Sequence, residues 1–241
     1  MQLRKLSALC FAAAITLASN AALAWQSEDG QHAVKANALL GSDYVFRGVS
    51  QTENKPAIQG GVDYEHVTGF YVGTWASNVN FGNENDASIE MNIYGGLANE
   101  FGNTGIRYDL GVVRYIYSGE SSLNFNELYG SLGYSFFTFA VAHSNDIFNT
   151  GERGTYYNLA FDYELPMGVA FTAAYGYSRF NNKVNGPGEP NSYKDYLIGV
   201  SKEFVGLDWA LNWTTTDSDG KKLFDSRYAD NRFTFSVSKN F

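Results

Sequence analysis

The chain predicts an all-β fold, a closed antiparallel up-and-down transmembrane β-barrel of twelve strands. Three observations carry this. The last nine residues, Phe233-Thr-Phe-Ser-Val-Ser-Lys-Asn-Phe241, are apolar at 233, 235, 237 and 241 and polar at every even position, with one break at Lys239. A period of two gives a strand one apolar and one polar face. Eleven earlier segments repeat the pattern. The connections between segments alternate tight turns with longer polar loops, as in barrels that have short turns on the periplasmic side and long loops outside.

The start of the chain fits that reading. Residues 1–24 read as a secretory signal peptide: Arg4 and Lys5 form the charged region, residues 6–17 are mostly apolar, and Ala22-Leu23-Ala24 is a small-residue cleavage site. The apolar run is shorter than the roughly 20 residues of a spanning helix. Cys10 lies within it, so the expected mature chain, residues 25–241, has no cysteine and no disulfide. Leu9, ahead of Cys10, is too bulky for a lipoprotein cleavage site.

Composition narrows the class. Loss of Arg4 and Lys5 moves the net charge from −8 to −10. Such acidity argues against nucleic acid, which requires a basic face. Phe 18, Tyr 17 and Gly 25 are abundant and Pro 4 is scarce, which favours strands. Beyond the leader, no apolar run is long enough for a transmembrane helix.

Alternation places strands at residues 36–47, 57–67, 70–80, 88–100, 105–117, 124–135, 138–144, 155–165, 169–180, 193–204, 207–216 and 232–241. The tight turns fall near Thr68-Gly69, Gly102-Asn103, Phe136-Phe137, Pro166-Met167 and Val205-Gly206, with spacings of 34, 34, 30 and 39 residues. Longer loops cover 49–56, 82–87, 118–123, 145–154, 181–192 and 217–231. An even strand number returns the C-terminus to the periplasm, where secretion leaves the N-terminus. Most segments run about 10–13 residues, enough for a tilted strand to cross a bilayer. A soluble sandwich also alternates, but its polar face would be its outside. Here the polar face is rich in Gly, Ser and Asn, and the other carries aromatics near strand ends, as interfacial girdles do. The terminal strand then closes the sheet on the first. Phe233, Phe235, Val237 and Phe241 face lipid as the C-terminal signal for barrel insertion, and Lys239 snorkels to headgroups.

Three stretches, Ser42-Asp-Tyr-Val-Phe-Arg-Gly-Val-Ser-Gln51, Lys55-Pro-Ala-Ile-Gln-Gly-Gly-Val-Asp-Tyr64 and Gly69-Phe-Tyr-Val-Gly-Thr-Trp-Ala-Ser-Asn78, resemble the TorF-type porin family of Gram-negative bacteria. Glu90-Met-Asn-Ile-Tyr-Gly-Gly96 and Tyr108-Asp-Leu-Gly-Val112 extend the resemblance. It implies an outer-membrane channel protein with no assigned catalytic residues and no named solute.

The residues themselves do not point to catalysis. His32, His66 and His143 are far apart in sequence and lack metal-ligand spacing. Outer-membrane phospholipases and deacylases use a His-x-Ser pair on one strand face. His143 and Ser144 are adjacent, so they point to opposite faces unless a bulge intervenes. The pairs Asp63/Glu65 and Asp162/Glu164 share faces but read as lumen or rim charges. No phosphate loop precedes a helix, and no cofactor or metal is called for.

The strand parity turns inward Asp43, Arg47, Asp63, Glu65, Glu90, Arg107, Asp109, Glu127, Asp162, Glu164, Asp195, Glu203, Asp208 and Arg232, eleven acids against three bases. As a pore lining these favour cations. As a salt-bridged plug they pass nothing. Eight-stranded barrels are filled by side chains and barrels of sixteen or more hold open channels; twelve lies between. The expected function is an outer-membrane porin, a passive channel for small hydrophilic solutes with mild cation preference. The alternatives are a non-conducting structural or surface-binding barrel and, least supported, an outer-membrane hydrolase. The expected partners are outer-membrane lipids, the barrel-assembly machinery during insertion, and the solutes themselves.

Overall fold

A computed structural model describes residues 24–82, 86–181 and 188–241 of the chain. The expected signal peptide, all but its last residue, lies outside the described residues. In chain order the strands are β1 (Trp25–Gln26), β2 (His32–Gly41), β3 (Val45–Phe46), β4 (Val49–Ser50), β5 (Ala57–His66), β6 (Phe70–Asn78), β7 (Ile89–Glu100), β8 (Ile106–Ser118), β9 (Phe125–Tyr134), β10 (Phe137–Ser144), β11 (Gly154–Leu165), β12 (Val169–Phe180), β13 (Ser192–Phe204), β14 (Leu207–Thr216) and β15 (Arg232–Asn240). Two short helices, α1 (Ser218–Phe224) and α2 (Ser226–Ala229), sit in the last loop. Asp217 and Asp225 cap them by accepting from the Gly220 and Arg227 N–H groups.

Twelve strands, β2 and β5 through β15, form one antiparallel sheet in sequence order, and the sheet closes through β15 and β2. Ser236 pairs with Gly41 and Asn240 with Asn37 across this seam, and Phe241 exchanges backbone hydrogen bonds with Ala36 at 2.8 and 3.3 Å. Beyond that point β1 takes over the free edge of β2, with Trp25 opposite Val34. The closed sheet satisfies the backbone polar groups of its strands without water, the condition for crossing lipid.

Side chains alternate strictly. Along β9, Phe125, Glu127 and Tyr129 are buried while Asn126, Leu128 and Leu132 are exposed. β6, β7, β8 and most of β13 do the same, and Leu110, Val112, Ile93, Ile198 and Leu211 are turned outward. A soluble protein does not expose an apolar belt of this extent; a barrel in lipid requires one. Aromatics collect at its edges: Phe70, Phe101, Phe137, Tyr163 and Phe204 at the tight-turn end, Tyr157 and Tyr177 (stacked, 6.3 Å) and Phe233 at the loop end. Phe233, Phe235 and Phe241 are exposed and Val237 half-buried, on the outer face. Lys239 bends to the neighbouring turn, where its Nζ donates to the Gly206 carbonyl at 2.8 Å.

Eleven strands lie within a few residues of their sequence positions. The first does not. Periodicity predicts a strand over 36–47, but β2 runs from His32 to Gly41 and the chain then turns into the barrel. Tyr44 through Ser50 are buried without a break, so alternation ends at Ser42. Asp43 and Arg47 therefore belong to an inward hairpin and not to a wall strand, and Tyr44 and Phe46, which the period placed on the strand's apolar face, lie inside with them. A mid-strand register such as Val45-Phe46 cannot be told from a short hairpin arm by period alone.

Leu128 is 63% exposed and pairs with Val112 midway along β9. We expect Leu128→Arg to destabilise the folded barrel by about 2–4 kcal/mol, read as a shift in denaturant midpoint on folding into vesicles. The inward Ser131→Arg should cost less, because its side chain does not meet lipid.

Candidate functional site

The site is the loop-end half of the lumen and the hairpin that fills it. Residues 42–56 leave β2, form the β3–β4 ladder and return to β5. The hairpin turns on Arg47 and Gly48, with φ of +48° and +80°. A two-residue turn between twisted strands needs positive φ at both positions, which glycine adopts freely and arginine does not. The tip rests on the wall: a Cβ on Gly48 would lie 2.7 Å from Thr216 Cγ2 and 2.8 Å from Asp195 Cβ. At the root, Asp43 accepts from Ser50 and Thr52 hydroxyls at 2.7 Å each and pairs with Arg232 of β15 at 2.9 Å.

Arg47 is the centre of the arrangement. Its Nη2 donates to Glu127 of β9 at 2.8 Å, and both side chains are almost wholly buried. Its guanidinium lies 4.3 Å from the Tyr156 ring centre on β11 and 4.5 Å from that of Phe46. Tyr115 of β8 donates to the same Glu127 oxygen at 3.0 Å. Beside it, Tyr44 donates to Glu90 of β7 at 3.3 Å and meets Trp75 edge-on. The hairpin thus touches β7, β8, β9, β11, β13 and β14, and Glu90, Tyr115 and Glu127 are each only 2% exposed.

The wall around this centre follows a rule of register. Asp63, Gly73 and Tyr94 stand opposite one another on β5, β6 and β7. Tyr94 lies across the glycine and donates to Asp63 at 2.5 Å. Tyr156 of β11 likewise reaches across Gly176 of β12 to Asp195 of β13 at 3.2 Å. Tyr71 and Tyr129 meet hydroxyl to hydroxyl over Gly96 and Gly111, and Tyr71 also donates to Asp109 at 2.7 Å. A Cβ on Gly73 or Gly111 would meet the tyrosine ring, on Gly176 the Tyr156 hydroxyl and the Asp195 carboxylate, and on Gly96 the Leu110 carbonyl and the Tyr71 hydroxyl. The inward glycines are seats for tyrosines; Tyr94, Tyr156 and Tyr71 donate to Asp63, Asp195 and Asp109, and Tyr129 meets the Tyr71 hydroxyl.

The charges assigned to the lumen by parity divide in two. Asp43, Arg47, Asp63, Glu90, Asp109, Glu127, Asp195 and Arg232 belong to the packed network. Glu65, Arg107, Asp162, Glu164, Glu203 and Asp208 face the tight-turn end, where Glu164, Glu203 and Arg107 are solvent-exposed. There Asp162 accepts from Thr172 at 2.5 Å and Asp208 from Asn240 at 3.1 Å. Lys35, which the misplaced first strand hid, faces inward and pairs with Glu65 at 2.7 Å. The last loop latches the hairpin root: Tyr228 donates to Glu53 at 3.1 Å and Asn54 to the Arg227 carbonyl at 2.9 Å. The Lys55 ammonium, helped by the Tyr228 hydroxyl, holds the Glu53 carboxyl below its ordinary range.

The histidines stay outside this network. His143 meets Thr155 at 2.8 Å and Asn145 at 3.3 Å, while Ser144 points inward and accepts from the Asp146 N–H, so no Ser–His pair forms. His32 and His66 are cross-strand partners with ring centres 5.0 Å apart, a contact that a 34-residue separation concealed.

The fold and the site define a closed twelve-stranded antiparallel barrel of the outer-membrane porin type. Two solved structures of similar architecture are the KdgM porin (TM-score 0.53, 8% identity, 86% of this chain and 99% of that one) and the KdgM porin in complex with disordered oligogalacturonate (TM-score 0.50, 8% identity, 86% and 98%). At that identity the likeness is one of fold. No curated protein matches the chain by sequence. The chain belongs to the family described as "Bacterial protein of unknown function (Gcw_chp)", whose model matches residues 25–241. The resemblance to TorF-type porins is not established by this match.

Gly73→Ala tests the seating rule. The added methyl would displace Tyr94 from Asp63, and we expect a loss of about 1–3 kcal/mol. Gly102→Ala, in open space at a tight turn with φ of +56°, should cost only the backbone strain. The check is the thermal midpoint of each variant in detergent.

Proposed function

We propose that this protein is an outer-membrane channel for small hydrophilic solutes, and that its conduction is controlled by the inward hairpin at residues 42–56. The observation that carries the reading is the asymmetry of the lumen. The tight-turn half carries Glu164, Glu203 and Arg107 exposed to solvent, with Glu65 paired to Lys35 beside them. The other is closed by a loop, not by the wall strands themselves; among the described residues that loop forms a strand ladder only with itself, β3 with β4, and its backbone–backbone bonds to the rest are the Ser42 N–H to the Phe235 carbonyl and the Asn80 N–H to the Gln51 carbonyl. A loop whose tip is held by side chains can move that tip without opening the sheet.

Cation preference is part of the reading. If the hairpin moves, Glu90, Glu127 and Asp195 keep no basic hydrogen-bond partner among the described residues, since Arg47 travels with the loop. Rings of acids attract cations. The same charges argue against carrying over the ligand of the KdgM porin, because an oligogalacturonate is a polyanion. The reading places the loop end outside the cell, the tight turns in the periplasm, a signal peptide cleaved after Ala24 ahead of β1, and insertion through the assembly machinery by way of the terminal strand. It is also compatible with the TorF-type resemblance of residues 42–78.

The closed half of the lumen supports a second reading, a barrel that does not conduct and acts through its outer loops. Planar-bilayer recording of the refolded protein separates the two. The channel reading expects small or infrequent cation-selective steps in the wild type. It expects Gly48→Ala, which cannot seat the hairpin tip, to raise the mean unitary conductance by at least about two-fold. Silence in both proteins would leave only the second reading, and anion selectivity would remove the cation preference.

A further inference from the structure

We propose that the lumen contains a binding site for small organic cations of the guanidinium class, and that Arg47 occupies it as a tethered stand-in for the solute. The proposal deepens the channel reading, on which it rests for its role in transport. The binding itself does not require conduction.

The argument begins with what surrounds the guanidinium. Glu127 supplies the carboxylate at 2.8 Å, and Tyr115 fixes that carboxylate by donating to the same oxygen. Tyr156 supplies an aromatic face at 4.3 Å. Cation–π contact with a desolvated cation is stronger than at a surface. All of these groups belong to wall strands, so they stay when the hairpin leaves.

Two details show that Arg47 fits this site incompletely. Asp195 is 7% exposed, and its Oδ2 has no hydrogen-bond partner among the described residues. Its other oxygen is held by Tyr156, the residue that forms the aromatic face. Arg47 Nε is also buried without a partner. Buried donors and acceptors are almost always paired. Asp195, held by the Tyr156 hydroxyl, and Arg47, lying over the Tyr156 ring, each keep one unmatched group among the described residues, as expected of a wall built for a cation with more freedom than a side chain anchored in a tight turn. A free methylguanidinium could turn its donors to both Glu127 and Asp195, which Arg47, held at φ +48°, does not.

Planar donors and a stackable face suit the site better than a compact ammonium, which cannot stack and accept two carboxylates in one plane. Sodium lacks any affinity for the Tyr156 face beyond point-charge attraction and is strongly hydrated.

The test is isothermal titration of the full, detergent-solubilised barrel with methylguanidinium chloride, against sodium chloride at equal ionic strength. In Arg47→Gln the cage is vacant, and methylguanidinium should bind at least about ten-fold more tightly than to the wild type. Adding Glu127→Gln should remove that gain. Gly48→Ala keeps Arg47 but unseats the tip, and should show intermediate affinity; it provides the same readout if Arg47→Gln does not refold. Equal affinity for wild type and both variants, or equal binding of sodium, would overturn the proposal. Binding without unitary currents would keep the site and remove the channel. Currents without binding would keep the channel and remove the site.

Discussion

Everything in this barrel depends on closing the backbone ladder. A strand edge in lipid leaves N–H and C=O groups with no water to bond, so the sheet must return to its beginning. The chain does this with a short seam. β15 meets β2 over only the residues from Ser236 to Asn240, because β2 stops at Gly41. The upper part of β15 is completed differently: the Ser42 N–H donates to the Phe235 carbonyl at 2.8 Å, the Ser42 hydroxyl accepts from the Phe235 N–H at 3.0 Å, and Arg232 reaches Asp43. The departure of the chain into the lumen therefore costs the seam few hydrogen bonds. Without that substitution at Ser42, an inward hairpin at the first loop would open the sheet at its weakest place.

Closure creates a second demand. The wall faces inward with acids, and acids in a narrow lumen need partners. The chain provides tyrosines, not mainly bases. A tyrosine laid over a glycine fills volume, keeps the neighbouring strands close and donates to a carboxylate without adding charge. That explains why Tyr and Gly are both abundant in one sequence, and why Gly73, Gly96 and Gly111 stand opposite Tyr94, Tyr71 and Tyr129. The lumen keeps its negative character while its hydrogen-bonding groups are largely satisfied.

The barrel itself was legible because its signal is strictly local. Period two, turn residues and an apolar closing strand are each written in a few neighbouring residues, and β12 and β14 agree with their sequence positions to the residue. The inward sense of Glu90, Asp109, Glu127 and Asp195 followed from parity alone. What parity could not give is any contact between strands distant in sequence, such as Arg47 with Glu127 across 80 residues. The hairpin was missed for a related reason. Ser42-Asp-Tyr-Val-Phe-Arg alternates well enough to pass as wall strand, and only Arg47-Gly48, read as a two-residue turn, marks the reversal. Lys35 was lost with the same error.

The Arg47–Glu127 pair then has a particular meaning. A buried ion pair adds little net stability, because desolvation of two charges offsets their attraction, yet removing one partner is costly, about 3–5 kcal/mol. A hairpin held only by apolar contacts would lose all of that contact on leaving. If the hairpin moves as proposed, an ion pair would be exchanged for hydration of both charges, which would bring the two positions closer in energy. The root is treated oppositely: Asp43 binds two hydroxyls and Arg232, and Asn54 and Glu53 bind the last loop. In the proposed channel a fixed root and a tip held by an exchangeable ion pair would act as a hinge, and the group at its free end is a cation paired with Glu127. Any cation able to replace that guanidinium at Glu127 lowers the cost of moving the hairpin by its own binding free energy.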